Sequence, residues 1–216
     1  MRAATPIDRI AEQHTRELVD ASPVLATTLG VPGRDHLLDD LSPDAHAAHA
    51  ALNRRTLDAL AGVAPVDATD EVTMAAMRDR LGLDLEGFEA GDHLADLNNI
   101  ASPLQGMRDV FDLMPSATAE HWAAIAARMS ALPEALGQYA ATLREGARTG
   151  RLPARRQVEL GIAEAGGLAD AAASFFSAFA ATARPDGAAP SDALAADLVR
   201  GVRDAREGYA DLARFL

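Results

Sequence analysis

Apolar side chains recur at steps of three and four along most of this chain of 216 residues. One such run comprises Met74, Met77, Leu81, Leu85 and Phe88, and another comprises Leu194, Leu198, Val202, Ala205, Tyr209, Leu212 and Leu216. This spacing places side chains on one face of an α-helix, and no sustained alternation predicts a strand. The pattern therefore predicts an all-α fold: a bundle of about seven to nine helices, mostly antiparallel neighbours, in a single helical domain over residues 1–216.

Capping residues predict where several helices begin. Serine or threonine followed by proline is a favoured order at a helix N-terminus. It occurs at Thr5–Pro6, Ser42–Pro43 and Ser102–Pro103, and Ser191 is the expected cap of the last helix. These positions divide the chain into segments of helical length.

Three further boundaries depend on weaker signals. We expect Thr69 to cap the helix that carries Met74. Pro133 is expected to begin a separate helix, because proline disrupts a helix interior. The seam from Val158 to Phe179 is expected to form one long helix, which its internal glycines weaken locally.

Composition excludes several classes of function. The formal net charge is −12 and all 20 basic residues are arginine, so the chain lacks the basic excess that nucleic acids and anionic membranes attract. Because cysteine is absent, thiol catalysis, disulfides and Cys-ligated zinc are excluded. No stretch has the pattern of a signal peptide or a membrane span. We therefore expect a cytoplasmic protein that binds neither nucleic acid nor membranes.

The last predicted helix has no C-terminal glycine, proline stop or polar tail, and its apolar stripe runs to Phe215 and Leu216. Natural termini usually continue into polar residues. We therefore expect this helix to continue into, or pack against, the C-terminal portion of a longer parent protein, or to pair with a second copy. A helix docked within a complete protein is the alternative.

No complete catalytic or metal-binding motif occurs, neither H-E-x-x-H nor a phosphate-binding loop nor a nucleophile elbow. The nearest approach is His46 and His49, three residues apart on one helical face, to which His36 and Asp44 could add ligands. A solvated histidine pair is the favoured alternative. His14 lies on an apolar stripe and is interpreted as a hydrogen-bonded core histidine. The sequence thus assigns no catalytic residue, cofactor-binding residue or metal ligand to this chain.

Amide side chains are concentrated in the segment 98–109. Asn98, Asn99, Gln105 and Arg108 are the candidates for lining a polar cleft, because amide groups both donate and accept hydrogen bonds. The alternative is a loop that caps itself, in which these side chains satisfy nearby backbone groups. Either interpretation predicts an ordered loop.

Four blocks, in order, resemble a bacterial family known as domain of unknown function 885. Pro23–Gly30 and Asp39–Pro43 resemble the opening of that family, and Asn98–Gly106 with Val110–Pro115 resembles its next recognisable block. Each block is moderately specific, whereas their order and spacing carry more weight. The similarity extends through the whole chain.

The resemblance implies a function. Members of the family are typically much longer than this chain, and are regarded as zinc metallopeptidase-like proteins whose zinc-binding region lies in the C-terminal half. It therefore implies that this chain is the N-terminal helical region of such a protein, inactive alone, forming a wall or lid of the cleft. Zinc is implied for the longer parent, with no cofactor in this chain. The alternative is a self-contained, non-enzymatic helical interaction module of unknown partner.

Overall fold

The computed structural model describes residues 2–216 and confirms the all-α prediction. The nine α-helices of this range are α1 (Pro6–Ala21), α2 (Pro23–Thr28), α3 (Pro43–Ala61), α4 (Ala68–Ala90), α5 (Pro103–Asp109), α6 (Ala119–Arg148), α7 (Arg155–Ala169), α8 (Phe175–Ala181) and α9 (Asp192–Phe215). Short 3₁₀ turns lie at Asp92–Ala95, Val110–Leu113 and Pro185–Gly187. Between residues 2 and 216 there is no strand, and none of the helices combines the length and apolarity needed to span a bilayer.

The helix starts predicted at Thr5, Ser42, Ser102 and Ser191 are confirmed. At three of them the hydroxyl oxygen accepts a hydrogen bond from the backbone N–H three residues later. At Ser102 the cap is completed by Gln105, whose side-chain oxygen accepts from the Ser102 backbone N–H at 2.9 Å and from its hydroxyl at 2.7 Å. Each arrangement satisfies backbone donors that a helix start leaves free.

The predicted cap of α4 at Thr69 is wrong, because Asp67 occupies that position. The Asp67 carboxylate accepts from the backbone N–H of Asp70 at 3.0 Å. Asp70 is itself buried, and its carboxylate accepts from the Val66 backbone N–H at 3.0 Å and from the Thr5 hydroxyl at 2.9 Å. The Asp67 cap, the bond to Val66 and the long-range bond from Thr5 fix the start of the helix, and Thr69 falls within its first turn.

The predicted break at Pro133 is also wrong: α6 is one helix that passes through this proline. A proline in a helix interior costs about 3 kcal/mol, because it removes a backbone hydrogen bond and crowds the preceding turn. Here Met129, Leu132 and Leu136 on either side are almost fully buried. Gly208 of α9 packs directly against the Pro133 backbone. Burial of this continuous face outweighs the local cost.

The seam from Val158 to Phe179 is divided between α7 and α8, contrary to the prediction of one long helix. The Asp170 carboxylate accepts from the backbone N–H groups of Ala172 and Ala173, both at 2.8 Å. The Ser174 hydroxyl donates to the carbonyl of Leu168 and accepts from the backbone N–H of Phe176 in the first turn of α8. This network stabilises a turn where the glycines of α7 have already weakened the helix.

Two groups of helices have separate apolar cores. The larger core is formed by the five helices α5, α6, α7, α8 and α9. It includes Trp122, Ile125, Met129, Leu132, Leu136, Tyr139, Phe176, Leu198, Tyr209 and Leu212. The smaller core joins α1, α3 and α4 through Ile7, Leu60 and Met74. The turn at Asp92–Ala95 packs against α6 and connects α4 to the larger group.

The apolar stripe of α9 is covered by other helices of the same chain. Leu198, Ala205, Tyr209 and Leu212 are at most 4% exposed. The helix packs chiefly against α6 and α7. Pairing of α9 with a longer parent or with a second copy stays a prediction.

A buried guanidinium connects the segment 27–37 to the larger group of helices, α5 through α9. Arg128 of α6 is fully buried. Its Nε–H donates to the carbonyl of Leu37 at 2.8 Å, and its Nη2 donates to the Thr27 hydroxyl and the Arg34 carbonyl, both at 3.0 Å. Burial lowers the Arg128 pKa to about 10, although Asp35 and Asp39 oppose the shift.

Candidate functional site

A cleft of about 960 Å³ opens between α3, α4 and the turn that follows α4. We call it the α3–α4 cleft. Its polar lining consists of His46, His49 and Asn53 from α3, Asp84 from α4, Asp92, His93 and Asp96 from the turn, and Arg151 from the segment after α6. Its apolar lining includes Leu83, Phe88 and Leu152. The volume is in the range of small-molecule binding sites, about 300–1,000 Å³.

Helical spacing brings the α3 residues to one wall. His46, His49, Asn53 and Thr56 follow at steps of three and four, which align side chains along one face of a helix. On most helices of this protein such a face is apolar, whereas here it is polar. That face is directed toward α4 and α1 and is buried at Asn53 and Thr56.

The opposite wall depends on the turn after α4. Gly91 ends α4 with a positive φ of 79°, a conformation that glycine adopts at little cost. The carbonyl of Asp96 accepts a hydrogen bond from the Tyr139 hydroxyl of α6 at 2.6 Å. Arg151 donates its Nε–H to the carbonyl of Ala90 at 2.9 Å. These contacts hold His93 and Asp96 against the cleft.

Three aromatic rings of the cleft lining stack on one another, and the guanidinium of Arg54, which lies outside the lining, extends the stack. The rings of His46 and His93 have centroids 4.8 Å apart. Phe88 stacks on His93 with 4.8 Å between centroids and an interplanar angle of 10°. The guanidinium of Arg54 lies 5.8 Å from the centre of the Phe88 ring. We call these four residues the Arg54–His46 stack.

Both imidazoles of the stack are neutral at pH 7. Burial, together with the neighbouring His93 and His49, lowers the pKa of His46 to about 4. Burial also lowers the pKa of His93, although the charge of Asp92 acts in the opposite direction. A neutral imidazole can accept a hydrogen bond, which a charged one cannot.

Two buried polar groups of the cleft have no hydrogen-bond partner within residues 2–216. Asn53 is 1% exposed, and neither its Oδ1 nor its Nδ2 is paired. The Nδ1 atom of His93 is likewise buried and unpaired. Buried polar groups are nearly always paired in proteins, so these atoms mark a place where a ligand could bind.

Carboxylates outnumber guanidinium groups in the cleft. Asp84, Asp92 and Asp96 line it together with a single guanidinium, that of Arg151. Partial burial is the main cause that raises the pKa of Asp96, and the negative charge of Asp92 raises it further. The charge of Asp92 therefore disfavours ionisation of the neighbouring Asp96.

The lining does not fit a zinc ion. Across residues 2–216, no three His, Cys, Asp or Glu side chains converge in a way that could hold a metal ion. His46 approaches His93, but no further ligand joins them, and neither His36 nor Asp44 is part of the cleft lining. The zinc implied by the family resemblance therefore has no site in the cleft, and its place in a longer parent stays a prediction.

A second cavity, of about 550 Å³, lies on the other side of the polar face of α3. It shares His46, His49, Asn53 and Asp84 with the α3–α4 cleft and extends to His14 of α1. As predicted, His14 is a hydrogen-bonded core histidine: it is 9% exposed, and its Nδ1 lies 3.0 Å from the Thr56 hydroxyl.

The amide-rich loop lies elsewhere, and none of its four candidate residues lines the α3–α4 cleft. The Asn98 side chain binds the backbone of Ile100 and Ala101. The Asn99 backbone N–H donates to Gln157 at 2.9 Å. These bonds are those of a self-capping loop. That the loop faces a cleft in a larger protein stays a prediction.

The other two candidates of the loop are also engaged within the chain. Gln105 donates its amide to Glu164 at 2.7 Å and to the Asn98 carbonyl at 3.0 Å. The guanidinium of Arg108 pairs with Asp109 and Asp112, and it lies 4.0 Å from the centre of the Phe175 ring.

Sequence reasoning identified His46 and His49 but missed Asn53, Asp84 and Asp96. A signal for Asn53 was present, since it continues the spacing of the two histidines along α3. The pairing of His46 with His93, by contrast, joins residues from different helical segments. Local spacing carries no information about such a contact.

We expect the His46 imidazole to titrate near pH 4 instead of near 6.5. The groups that face it are His49 on the same helix, His93 from the turn, and Asp40 before α3. The unfolded chain binds this proton at a higher pH than the folded protein does. The contribution of neutral His46 to the free energy of unfolding is therefore fully present above about pH 6.5, and it is lost as the pH falls toward 4.

Proton NMR of the imidazole resonances measures this midpoint, and a His46→Gln variant assigns the signal. The variant should also reduce the loss of stability between these two pH values. A His46 midpoint near the ordinary histidine value would contradict the burial of this ring.

Comparison with known protein families adds one match. The family model described as "Bacterial protein of unknown function (DUF885)" matches residues 23–216. The matched range includes the α3–α4 cleft and the amide-rich loop. No curated protein matches the chain.

Proposed function

This chain belongs to the DUF885 family of bacterial proteins, and we propose that it forms a non-catalytic wall or lid of the substrate cleft in a zinc-dependent peptidase-like protein. Within that protein its task is to hold the substrate. The zinc and the catalytic groups belong to a part of the parent that this chain does not supply.

The α3–α4 cleft is the observation that supports this role. It is open to solvent, has a volume typical of ligand-binding sites, and contains buried Asn53 with both polar side-chain atoms unpaired. Its lining contains imidazole, carboxylate, amide and guanidinium groups but no hydroxyl or thiol. Such a lining supplies hydrogen bonds and charge for binding, and it offers no hydroxyl or thiol nucleophile for covalent catalysis.

Photocrosslinking tests the substrate-holding role. Leu83 is 52% exposed and lies at the cleft, whereas Val72 is 69% exposed on the same helix and is not part of the lining. With p-benzoylphenylalanine at position 83, we expect a mixed peptide library to crosslink several-fold more than with the same residue at position 72. Equal crosslinking at the two positions would contradict the proposal.

Metal analysis and hydrolysis assays test the non-catalytic part. The purified chain, incubated with the same peptides in the presence and absence of Zn²⁺, should release no cleavage products. Elemental analysis after dialysis should find far less than one zinc per chain. Stoichiometric zinc with peptide cleavage would overturn this part of the proposal.

A non-enzymatic helical interaction module is the second candidate, and one observation favours it. The apolar stripe of α9 is already covered by α6 and α7, so this helix needs no further domain to bury it. A stable monomer in light scattering, with little binding of a hydrophobic dye, supports this candidate. Aggregation and strong dye binding favour a helical region that requires the rest of a larger protein.

A further inference from the structure

We propose that the α3–α4 cleft binds an organic cation, an alkylammonium or guanidinium group, and that the substrate segment it holds is a basic peptide. The peptide part rests on the proposed function, whereas the cation part depends on the cleft alone.

The charge of the lining favours a cation. Three carboxylates, those of Asp84, Asp92 and Asp96, share the cleft with one guanidinium. That guanidinium belongs to Arg151 and is engaged with the carbonyl of Ala90. The neutral imidazoles of the Arg54–His46 stack add no positive charge, and its Arg54 guanidinium lies outside the lining and pairs with Glu89 at 3.2 Å. Because the whole chain also carries a formal charge of −12, the cleft attracts cations and repels anions.

Unpaired polar atoms in the cleft suit a basic peptide. The Oδ1 atom of Asn53 is an acceptor without a donor among residues 2–216, and the Nδ1 of neutral His93 is an acceptor in the tautomer that carries its proton on Nε2. Ammonium and guanidinium groups supply several N–H donors for such acceptors. The Nδ2 of Asn53 is an unpaired donor, which a backbone carbonyl of the peptide can pair.

The size and donor set of the cleft favour an organic cation over a metal ion. A volume of about 960 Å³ is far larger than one ion needs. No three potential ligands within residues 2–216 converge for a metal. Leu83 and Leu152, which are 52% and 68% exposed, offer apolar contact to the stem that carries the cation.

Three probes separate the cation from the peptide. The first is an N-acetylated, C-amidated tripeptide with a central arginine. The second is the same peptide with citrulline, which keeps the shape of arginine and removes the charge. The third is agmatine, a guanidinium on a short alkylamine without a peptide bond. Affinities are measured by isothermal titration calorimetry with the 216-residue chain.

We expect the arginine peptide to bind at least about tenfold more tightly than its citrulline twin, with an affinity that falls as salt is added. The double variant Asp84→Asn/Asp96→Asn should weaken arginine-peptide binding about tenfold. The matched control, Asp79→Asn/Glu86→Gln, removes the same charge from α4 outside the cleft lining and should change the affinity less than about twofold. Circular dichroism and thermal unfolding confirm that each variant is folded.

The probes distinguish the failure of each proposal. Equal affinity for the arginine and citrulline peptides overturns the cation proposal and leaves the substrate-holding role standing. Binding of agmatine without binding of either peptide supports the cation site and contradicts the substrate-holding role. Equal effects of the cleft and control variants overturn the proposed location. If Zn²⁺ binds stoichiometrically and competes with the arginine peptide, the cleft is a metal site and the organic-cation proposal is wrong.

Discussion

Replacing Arg128 by methionine is expected to lower the free energy of unfolding by about 3 kcal/mol. The side chain donates to the Leu37 and Arg34 carbonyls and to the Thr27 hydroxyl. Without the guanidinium, the Leu37 carbonyl loses its donor, whereas the Arg34 carbonyl keeps the Leu37 backbone N–H and the Thr27 hydroxyl keeps its bond to Asp35. Hydrogen bonds that involve a charged group contribute about 1.5–3 kcal/mol each. Part of that loss is offset because the variant no longer buries a charge whose pKa burial lowers to about 10.

Chemical denaturation followed by circular dichroism measures this effect. Arg148→Met on the same helix is the control, because Arg148 is exposed and pairs with Glu145 across one helical turn. The control should change stability by less than about 0.5 kcal/mol. Arg128→Lys retains the charge but loses the planar fork, so we expect an intermediate value.

Hydrogen exchange shows which segment loses stability in the Arg128→Met variant. Arg128 holds α2 and the residues that follow it, so exchange should accelerate in the segment 23–37 while the centre of α6 stays protected. A variant as stable as the control, with unchanged exchange in this segment, would show that the buried guanidinium does not anchor it.

Replacing Gly146 by alanine is expected to destabilise the protein by about 2–3 kcal/mol. A β-carbon at this position of α6 would overlap the carbonyl oxygen of Leu94 and would lie 2.9 Å from the carbonyl oxygen of Arg151. Both obstacles are backbone atoms, so no side-chain rotation relieves the clash. Either the turn at Asp92–Ala95 or the end of α6 must move.

The same substitution at Gly137 is a matched control, because a β-carbon there has no neighbour within 4 Å. In an exposed helix interior, alanine is favoured over glycine by up to about 1 kcal/mol. Gly137→Ala should therefore be neutral or stabilising. Two Gly→Ala changes on one helix are thus expected to have opposite signs in thermal unfolding.

Gly146→Ala also tests the coupling of α6 to the α3–α4 cleft. Leu94 lies in the chain between His93 and Asp96, whose carbonyl accepts a hydrogen bond from Tyr139. Displacement of this turn therefore moves one wall of the cleft. We expect weaker binding of the arginine peptide in folded Gly146→Ala protein and unchanged binding in Gly137→Ala. Unchanged binding in both would show that the turn adapts without altering the cleft.

The helix starts illustrate how far local sequence rules extend. Thr5, Ser42, Ser102 and Ser191 were predictable because a cap depends on residues within one turn of it. Thr69 was an acceptable local cap as well. It was displaced because buried Asp70 binds Thr5, a contact between residues far apart in the chain.

Pro133 and the seam after Val158 show the opposite kinds of error. At Pro133 the local rule predicted a break, and packing against Gly208 of α9 preserved the helix. In the seam the periodicity predicted continuity, and the Asp170 and Ser174 hydrogen bonds produced a turn. At Pro133 the burial of a continuous apolar face outweighed the local proline rule, whereas in the seam polar hydrogen bonds outweighed the apolar periodicity.

By itself the sequence determined the all-α class, most helix starts and the polar face of α3, because each depends on residues within a few positions of one another. Only the tertiary structure decided which polar groups meet: His46 with His93, Asn53 without a partner, and Gly146 against Leu94. The physical reason is that these contacts depend on how closely whole helices approach. That distance is set by packing across the two cores, and no local spacing specifies it.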